Sequence, residues 1–200
     1  MLLNRVEYLL MNNPVRAAIQ RHFEAQRLLH MGGPMRGGRA LEVGCGRGVG
    51  TELILDVFGA DSVDAFDLDP RMLALAQRRL AARGSRVRLW VGDASAISVP
   101  AATYDAVFDF GIIHHIPEWR GALAEVHRVL KPGGLFYAEE VLRRFIVHPL
   151  TRRLLEHPHG DRFDSAGFAQ ELGASGLEPF ATRELWGSIA WFAARKPAAA

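Results

Sequence analysis

Apolar residues along this chain fall into short unbroken runs that alternate with longer stretches of helical spacing. Residues 39–44 read as a first strand, 48–58 as a helix and 62–67 as a second strand. From Pro70 to about Arg83, the residues Met72, Leu73, Leu75, Ala76 and Leu80 gather on one side of a helix, and Asp69-Pro70 supplies an N-cap followed by proline at the first helical position. Strand three follows at 87–91, strand four at 104–110, a helix at 122–130, and strand five at 135–139 after the Pro132-Gly133-Gly134 turn. Residues 163–175 read as a last helix stopped by Gly176, and 178–196 can supply two more strands. Regular alternation of strand and helix predicts an α/β fold: a doubly wound, mainly parallel sheet with helices on both faces. Such sheets bind ligands at the carboxyl ends of their strands.

Two segments stand outside this core. Residues 1–36 form an N-terminal segment, ahead of a main domain at 37–200. Within it, 1–31 read as amphipathic helices broken at Asn12-Asn13-Pro14, with Leu2, Leu3, Val6, Leu9 and Leu10 on one side. Packing against the domain as a lid is the expected use; contact with a membrane surface or with a second copy is the alternative. The other segment, 141–162, is rich in Arg and His and interrupts the alternation as an insertion.

Composition narrows the class of partner. With 200 residues and 49% apolar content the chain can bury one sizeable core without disulfides or metals. Lys and Arg number 24 against 22 Asp and Glu, a net charge of +2. No basic run is interleaved with aromatics, so nucleic acid is not the expected partner. Arg78, Arg79, Arg83, Arg86 and Arg88 come nearest to such a patch and read as a solvated face. Cys45 is the single cysteine, which rules out an internal disulfide and a thiol zinc site. Arg5 and Glu7 interrupt the N-terminus before an uncharged signal core develops, and a cytoplasmic location is expected.

The most informative stretch is Glu42-Val43-Gly44-Cys45-Gly46-Arg47-Gly48, an apolar strand running into a glycine-rich turn. A dinucleotide fingerprint is G-x-G-x-x-G, in which the third glycine opens the helix beneath a pyrophosphate. Here the spacing is G-x-G-x-G, and Val49 stands where that third glycine would be. Glu42 is also badly placed beside a pyrophosphate, since two anions would meet in low-dielectric surroundings. It suits a ligand with positive charge.

This turn resembles the first motif of the class I S-adenosylmethionine-dependent methyltransferases. Three further stretches follow in that family's order and spacing: Val63-Asp64-Ala65-Phe66-Asp67-Leu68-Asp69-Pro70, Val91-Gly92-Asp93-Ala94 and Leu130-Lys131-Pro132-Gly133-Gly134. Together with the paired His114-His115, they look most similar to the group containing quinone-biosynthesis and sterol methyltransferases. The resemblance implies a Rossmann-like, seven-stranded, mostly parallel sheet with an antiparallel last strand. It implies S-adenosylmethionine as cofactor, S-adenosylhomocysteine as product and no metal. Glu42, Gly44, Cys45, Gly46, Gly48, Asp67, Leu68, Met72, Asp93, Ala94, Asp109 and Phe110 are the cofactor-binding residues it implies, with Asp67 on the ribose hydroxyls, Asp93 on the adenine amino group and Asp109 near the cofactor's amino end. The 141–162 insertion would help wall a pocket for a small-molecule or lipid-like acceptor.

Methyl transfer from a sulfonium asks mainly for in-line alignment, which can supply roughly 7–11 kcal/mol. An acceptor that loses a proton also needs a base within hydrogen-bond reach. His114 and His115 follow strand four at its carboxyl edge and are the candidates, with packing against the cofactor as their alternative role. Glu139 and Glu140 end strand five, and alternation turns one toward the pocket and one away; Glu139 is taken as the acceptor-side carboxylate. His148, His157 and His159 are scattered among arginines and prolines and are not expected to hold a metal. Two rival readings stay open, an RNA or protein methyltransferase and a non-catalytic cofactor-binding partner subunit.

Overall fold

The computed structural model describes residues 13–147 and 161–198. Leu2, Leu3, Val6, Leu9 and Leu10, the three histidines 148, 157 and 159, and most of the 141–162 insertion lie outside the described residues.

Seven strands form one sheet: β1 (Arg39–Val43), β2 (Ser62–Asp67), β3 (Val87–Val91), β4 (Tyr104–Phe110), β5 (Leu130–Val141), β6 (Glu178–Leu185) and β7 (Ile189–Arg195). Their order is β3-β2-β1-β4-β5-β7-β6. The chain therefore reverses direction across the sheet at β1, which pairs in parallel with β2 on one side and β4 on the other. A crevice opens at such a switch point, beyond the carboxyl ends of the strands. The last strand, β7, enters antiparallel between β5 and β6.

Alternation along the strands builds a core on each face. Val107 and Phe136 face one way, against α5 (Trp119–Val129) and α7 (Ser165–Ala174), where Trp119, Leu123, Phe168, Leu172 and Phe192 complete the packing. Phe108 and Tyr137 face the other way, against α3 (Val49–Asp56) and α4 (Pro70–Leu80). Each fully buried side chain of this size contributes about 1.5–3 kcal/mol by leaving water.

The N-terminal segment lies on the second face. Asn13 caps α1 (Pro14–Ile19) by accepting from the Arg16 N–H, and Pro14 occupies its first turn. A π-helical turn, Gln20–Glu24, then leads into α2 (Ala25–Gly32). Tyr137 fixes the end of α2: its hydroxyl donates to Gly33 O at 2.7 Å, and its ring passes so close that a Cβ on Gly32 would stand 2.3 Å from Cε1. Outside, α1 and the π turn expose Val15, Ile19 and Phe23.

Several boundaries differ from the sequence reading. Strand β5 begins at Leu130, which pairs with Tyr104, and runs to Val141; the Lys131-Pro-Gly-Gly turn is a bulge within it, after which Leu135 pairs with Ala106. Its extension comes from β7, which pairs with every residue from Leu135 to Val141. Helix α5 starts at Trp119, three residues ahead of the expected Ala122, because that indole is buried in the core and donates to Asp161 O. A 3₁₀ turn at Ile113–His115 and a short helix α6 (Arg143–Ile146) were not anticipated.

Candidate active site

A cleft of about 320 Å³ opens over the carboxyl ends of β1, β2 and β4. Its floor is the turn after β1. Gly44 and Gly46 both hold positive φ, 66° and 51°. At Gly44 a Cβ would fall 2.5 Å from Ile112 Cγ1, so a side chain is excluded by packing. At Gly46 a Cβ would meet nothing within 4 Å, because that position looks into the cleft. Cys45 also lines the cleft, but its thiol is pushed well above its ordinary range by burial first and by Glu42 and Asp67 next. It is therefore a packed thiol rather than a nucleophile.

Acidic side chains surround this floor. Asp67, at the end of β2, accepts from Gly46 N through Oδ2 and from Asp69 N through Oδ1, both at 2.8 Å. Burial raises its pKa, and the two N–H bonds hold the rise back. Asp69 is the N-cap of α4 and accepts from Arg71 N at 2.9 Å; hydrogen bonding from Arg71 holds it below the usual range. The division of labour expected between the two acids is thus the one seen for Asp69.

Glu42 lines the cleft from β1 and is almost fully buried. Thr51 Oγ1 donates to its carboxyl group, yet burial pushes its pKa up to about 8. Gly50 makes room for it, since a Cβ there would lie 2.0 Å from Glu42 Oε1. Leu68, Met72, Ala94, Gly48's neighbour Val49 and Phe110 are at the walls. Asp93 stands at the rim, where Ser95 donates to Oδ1 from both its N–H and its hydroxyl and lowers the Asp93 pKa.

Four expected site residues lie elsewhere. Gly48 caps α3 with a φ of 84°, packed so that a Cβ would stand 2.9 Å from Leu80 Cδ1, and does not line the cleft. Asp109 and His114 are buried on the α5 side of the sheet and do not line the cleft; alternation along β4 gives the wall to Phe110, and the 3₁₀ turn after it gives the wall to His115. Glu139 points to the opposite face. It accepts from Trp191 Nε1 at 2.7 Å and pairs with Arg16 at 3.5 Å, and Arg16 also bonds Glu24. Burial raises both acids, and they hydrogen-bond each other.

Other cleft residues escaped the sequence reading. Arg16, Ala17 and Gln20 reach it from the N-terminal helix, and Ile112, Ile116, Pro117 and Glu118 from the segment after β4. Arg47 donates to Asn13 O at 2.7 Å and ties the glycine turn to that helix. Ile112 and Ile116 follow in sequence from a recognised motif and could have been read from it; nothing local marks Arg16. Among the described residues no group of three His, Cys, Asp or Glu gathers as a metal site. Nor is any described helix long and apolar enough to cross a membrane.

A reversal-point cleft with a glycine floor and an acid near the end of each of its first two strands lies where an open α/β sheet takes its ligand. Residues 40–134 match the family described as methyltransferase domain. A fatty-acid O-methyltransferase of Mycolicibacterium smegmatis is 32% identical over 124 residues, 62% of this chain and 44% of that protein. A ubiquinone biosynthesis O-methyltransferase of Methylocella silvestris is 32% identical over 139 residues, 66% of this chain and 54% of that protein. The chain spans about half the length of the curated relatives it matches. Among solved structures, a SAM-dependent methyltransferase from Aquifex aeolicus superposes with a TM-score of 0.73 at 17% identity, covering 96% of this chain and 98% of that one, a likeness of fold. Residues 40–134 thus match a methyltransferase domain, and 76% of the chain is similar, at 32% identity, to a probable S-adenosylmethionine-dependent methyltransferase of Mycolicibacterium smegmatis, 56% of which it covers.

Proposed function

We propose that this chain is an enzyme that transfers the methyl group of S-adenosylmethionine to a small-molecule or lipid-like acceptor. The observation that carries the reading is the two-sided cleft, with Glu42, the glycine turn, Asp67 and Asp93 along one side and a largely apolar wall around His115 on the other. The residues fit the cofactor: Gly46 leaves open the space a Cβ would fill, and Asp67 keeps lone pairs beyond its two backbone bonds. When bound there, S-adenosylmethionine supplies an activated methyl group on a sulfonium.

Each residue then has a role. Asp67 accepts from the ribose hydroxyls, and charge-assisted bonds of this kind are about twice as strong as neutral ones. Asp93 accepts from the adenine amino group, while Leu68, Met72 and Ala94 pack around the ring. Glu42 gains a cation nearby, which draws its proton off and turns a neutral buried acid into a counter-charge. His115 takes the proton that an O–H or N–H acceptor gives up.

Ala17, Ile112, Ile116 and Pro117 support an apolar acceptor, as do the relatives named for fatty-acid and quinone substrates. The N-terminal helix works as a lid, contributing Arg16, Ala17 and Gln20 to the wall. Val15, Ile19 and Phe23, turned outward on the same segment, support its use as a contact to a lipid surface.

The test is mass spectrometry of small-molecule and lipid extracts incubated with the protein and S-adenosylmethionine carrying a trideuterated methyl group. A labelled small or lipid-like product is expected. Label confined to RNA or protein would replace the acceptor class, and donor binding with no labelled product would make the chain a non-catalytic binding module.

A further inference from the structure

Three consecutive backbone N–H groups, those of Ile112, Ile113 and His114, open the 3₁₀ turn that ends in His115. They point into the protein, and two buried carboxyl groups receive them. Asp109 Oδ1 accepts from Ile112 N at 2.8 Å, Glu140 Oε1 from Ile113 N at 3.0 Å and Glu140 Oε2 from His114 N at 3.1 Å. The same Oε2 lies 2.6 Å from His114 Nδ1. Both acids have 0% exposure. Asp109 pairs with Ala138 across β4 and β5, so Glu140, two residues further on, is its diagonal neighbour on the same sheet face.

We propose that Asp109 and Glu140 act as one buried acid pair whose task is to position the Ile112–His115 turn, and with it the His115 ring, in the cleft. Among the described residues Asp109 Oδ2 receives no N–H or hydroxyl donor, and the Asp109 and Glu140 carboxyl groups lie within hydrogen-bond reach of each other. Two carboxyl oxygens make a hydrogen bond only with a proton between them. Burial, and then the charge of Glu140, hold Asp109 well above its ordinary range, so the proton sits on Asp109. Glu140 is itself raised to about 7 by burial and is held back by Asp109 and by the two N–H donors. Once Glu140 ionises, the pair carries one shared negative charge, aimed at three amides and a ring N–H. That charge also selects the tautomer of His114, with its proton on Nδ1.

The consequence reaches the cleft through two contacts. His115 N donates to Ile112 O at 2.9 Å, and its ring rests on that of His114 at a centroid distance of 4.2 Å. Ile112 packs where a Cβ of Gly44 would be, so the turn also braces the glycine floor. The other titratable groups that act on Glu140 are Glu139, its strand neighbour on the opposite face, and Arg162, whose guanidinium donates to His114 O. Neither Asp109 nor Glu140 touches the cleft, so both are positioning residues for the reaction proposed above. The inference rests on that reading only in treating His115 as a reacting group.

The experiment is nuclear magnetic resonance of the whole chain labelled at histidine, with no ligand or turnover needed. Wild type is expected to show an exchange-protected, downfield His114 Nδ1–H and an ordered His115 ring. Glu140→Gln should remove that resonance and move the His115 titration midpoint by about half a unit or more, with the fold monitored by circular dichroism. Asp109→Asn keeps an acceptor for Ile112 N and an N–H donor for Glu140, so its His114 and His115 signals should match wild type, whereas Asp109→Ala should shift both. If Glu140→Gln does not fold, the Asn and Ala pair at 109 decides. A folded Glu140→Gln protein with an unmoved His115 midpoint would reduce the pair to structural packing. Asp109→Asn behaving like Asp109→Ala would overturn the shared proton. Loss of methyl transfer in other assays would bear on the proposed function and leave these readouts intact.

Discussion

Gly46 N–H donates to Asp67 Oδ2 across 2.8 Å, a bond that joins the turn after β1 to the end of β2. It places a residue with no side chain directly beside the carboxylate expected to hold a ribose. The cleft is therefore shaped by backbone as much as by side chains, and that can be tested at Gly46 itself.

Gly46→Ala adds a Cβ that meets no protein atom within 4 Å, at a φ of 51° that a non-glycine residue adopts at a cost of about 1–2 kcal/mol. Thermal unfolding should report a loss of that size. S-adenosylmethionine affinity should fall by more than tenfold in the folded variant, because the methyl group enters the cleft. Equal affinity in calorimetry would mean that no ligand lies against this turn.

The two histidines should separate. His115→Ala removes a side chain at the cleft wall and should lower turnover by about 10²–10⁴-fold if it takes a proton, with little change in unfolding free energy. His114→Ala removes a buried partner of Glu140 and should cost about 1.5–3 kcal/mol in chemical denaturation. Equal kinetic effects with equal stabilities would contradict the geometry.

Stability should decline as pH rises through neutrality. Glu42 and Glu140, with pKa values of about 8 and about 7 in the fold against the usual 4.5, bind protons in the folded state that the unfolded chain has already released. Their contribution is full below about pH 4.5 and is lost as pH climbs through 7 and 8. His127, lowered by burial, works in the opposite sense below about pH 6.5, and the lowered Asp69, Asp93 and Glu125 act only in acid. Glu42→Gln should flatten the upper part of a melting-temperature profile between pH 5 and pH 9, and an unchanged slope would argue against a protonated Glu42.

Arg16 bridges Glu24 and Glu139 beneath the N-terminal helix. Arg16→Ala leaves two buried acids without their cation, which should destabilise the chain by about 3–5 kcal/mol and expose residues near Pro14 to protease. A variant as stable and as protease-resistant as wild type would remove the latch.

Much of the sheet was legible because its parallel strands are short apolar runs bounded by turn residues. β2, β3 and β4 begin and end where the pattern changes, and the Asp69-Pro70 cap marks the start of α4. β5 was read short at its start, where Leu130 follows a helix and Pro132-Gly133-Gly134 signals a turn, and at its end, where Glu140 breaks the apolar run and the pairing comes from β7, about 50 residues away. Glycine spacing and the acids at 42 and 67 located the cleft floor. The wall was harder: alternation shows that Asp109 and Phe110 face opposite ways, as do Glu139 and Glu140, without showing which side is the cleft. Arg16 and Gln20 depend on how a separate helix docks, which is decided by Gly32 against Tyr137 and by Arg47 on Asn13.

Calorimetric titration of S-adenosylmethionine into wild type, Asp67→Ala and Asp69→Ala bears most directly on the claim that this cleft holds the methyl donor. The wild type should bind at one saturable site, and Asp67→Ala should lose about 1.5–3 kcal/mol, roughly 10- to 150-fold in affinity. Asp69→Ala, which removes a helix cap and an ion pair with the exposed Arg71 at the edge of the cleft, should keep most of its affinity while losing about 0.5–2 kcal/mol of stability. Absence of S-adenosylmethionine binding, or saturable NADH binding weakened by Asp67→Ala, would contradict the account.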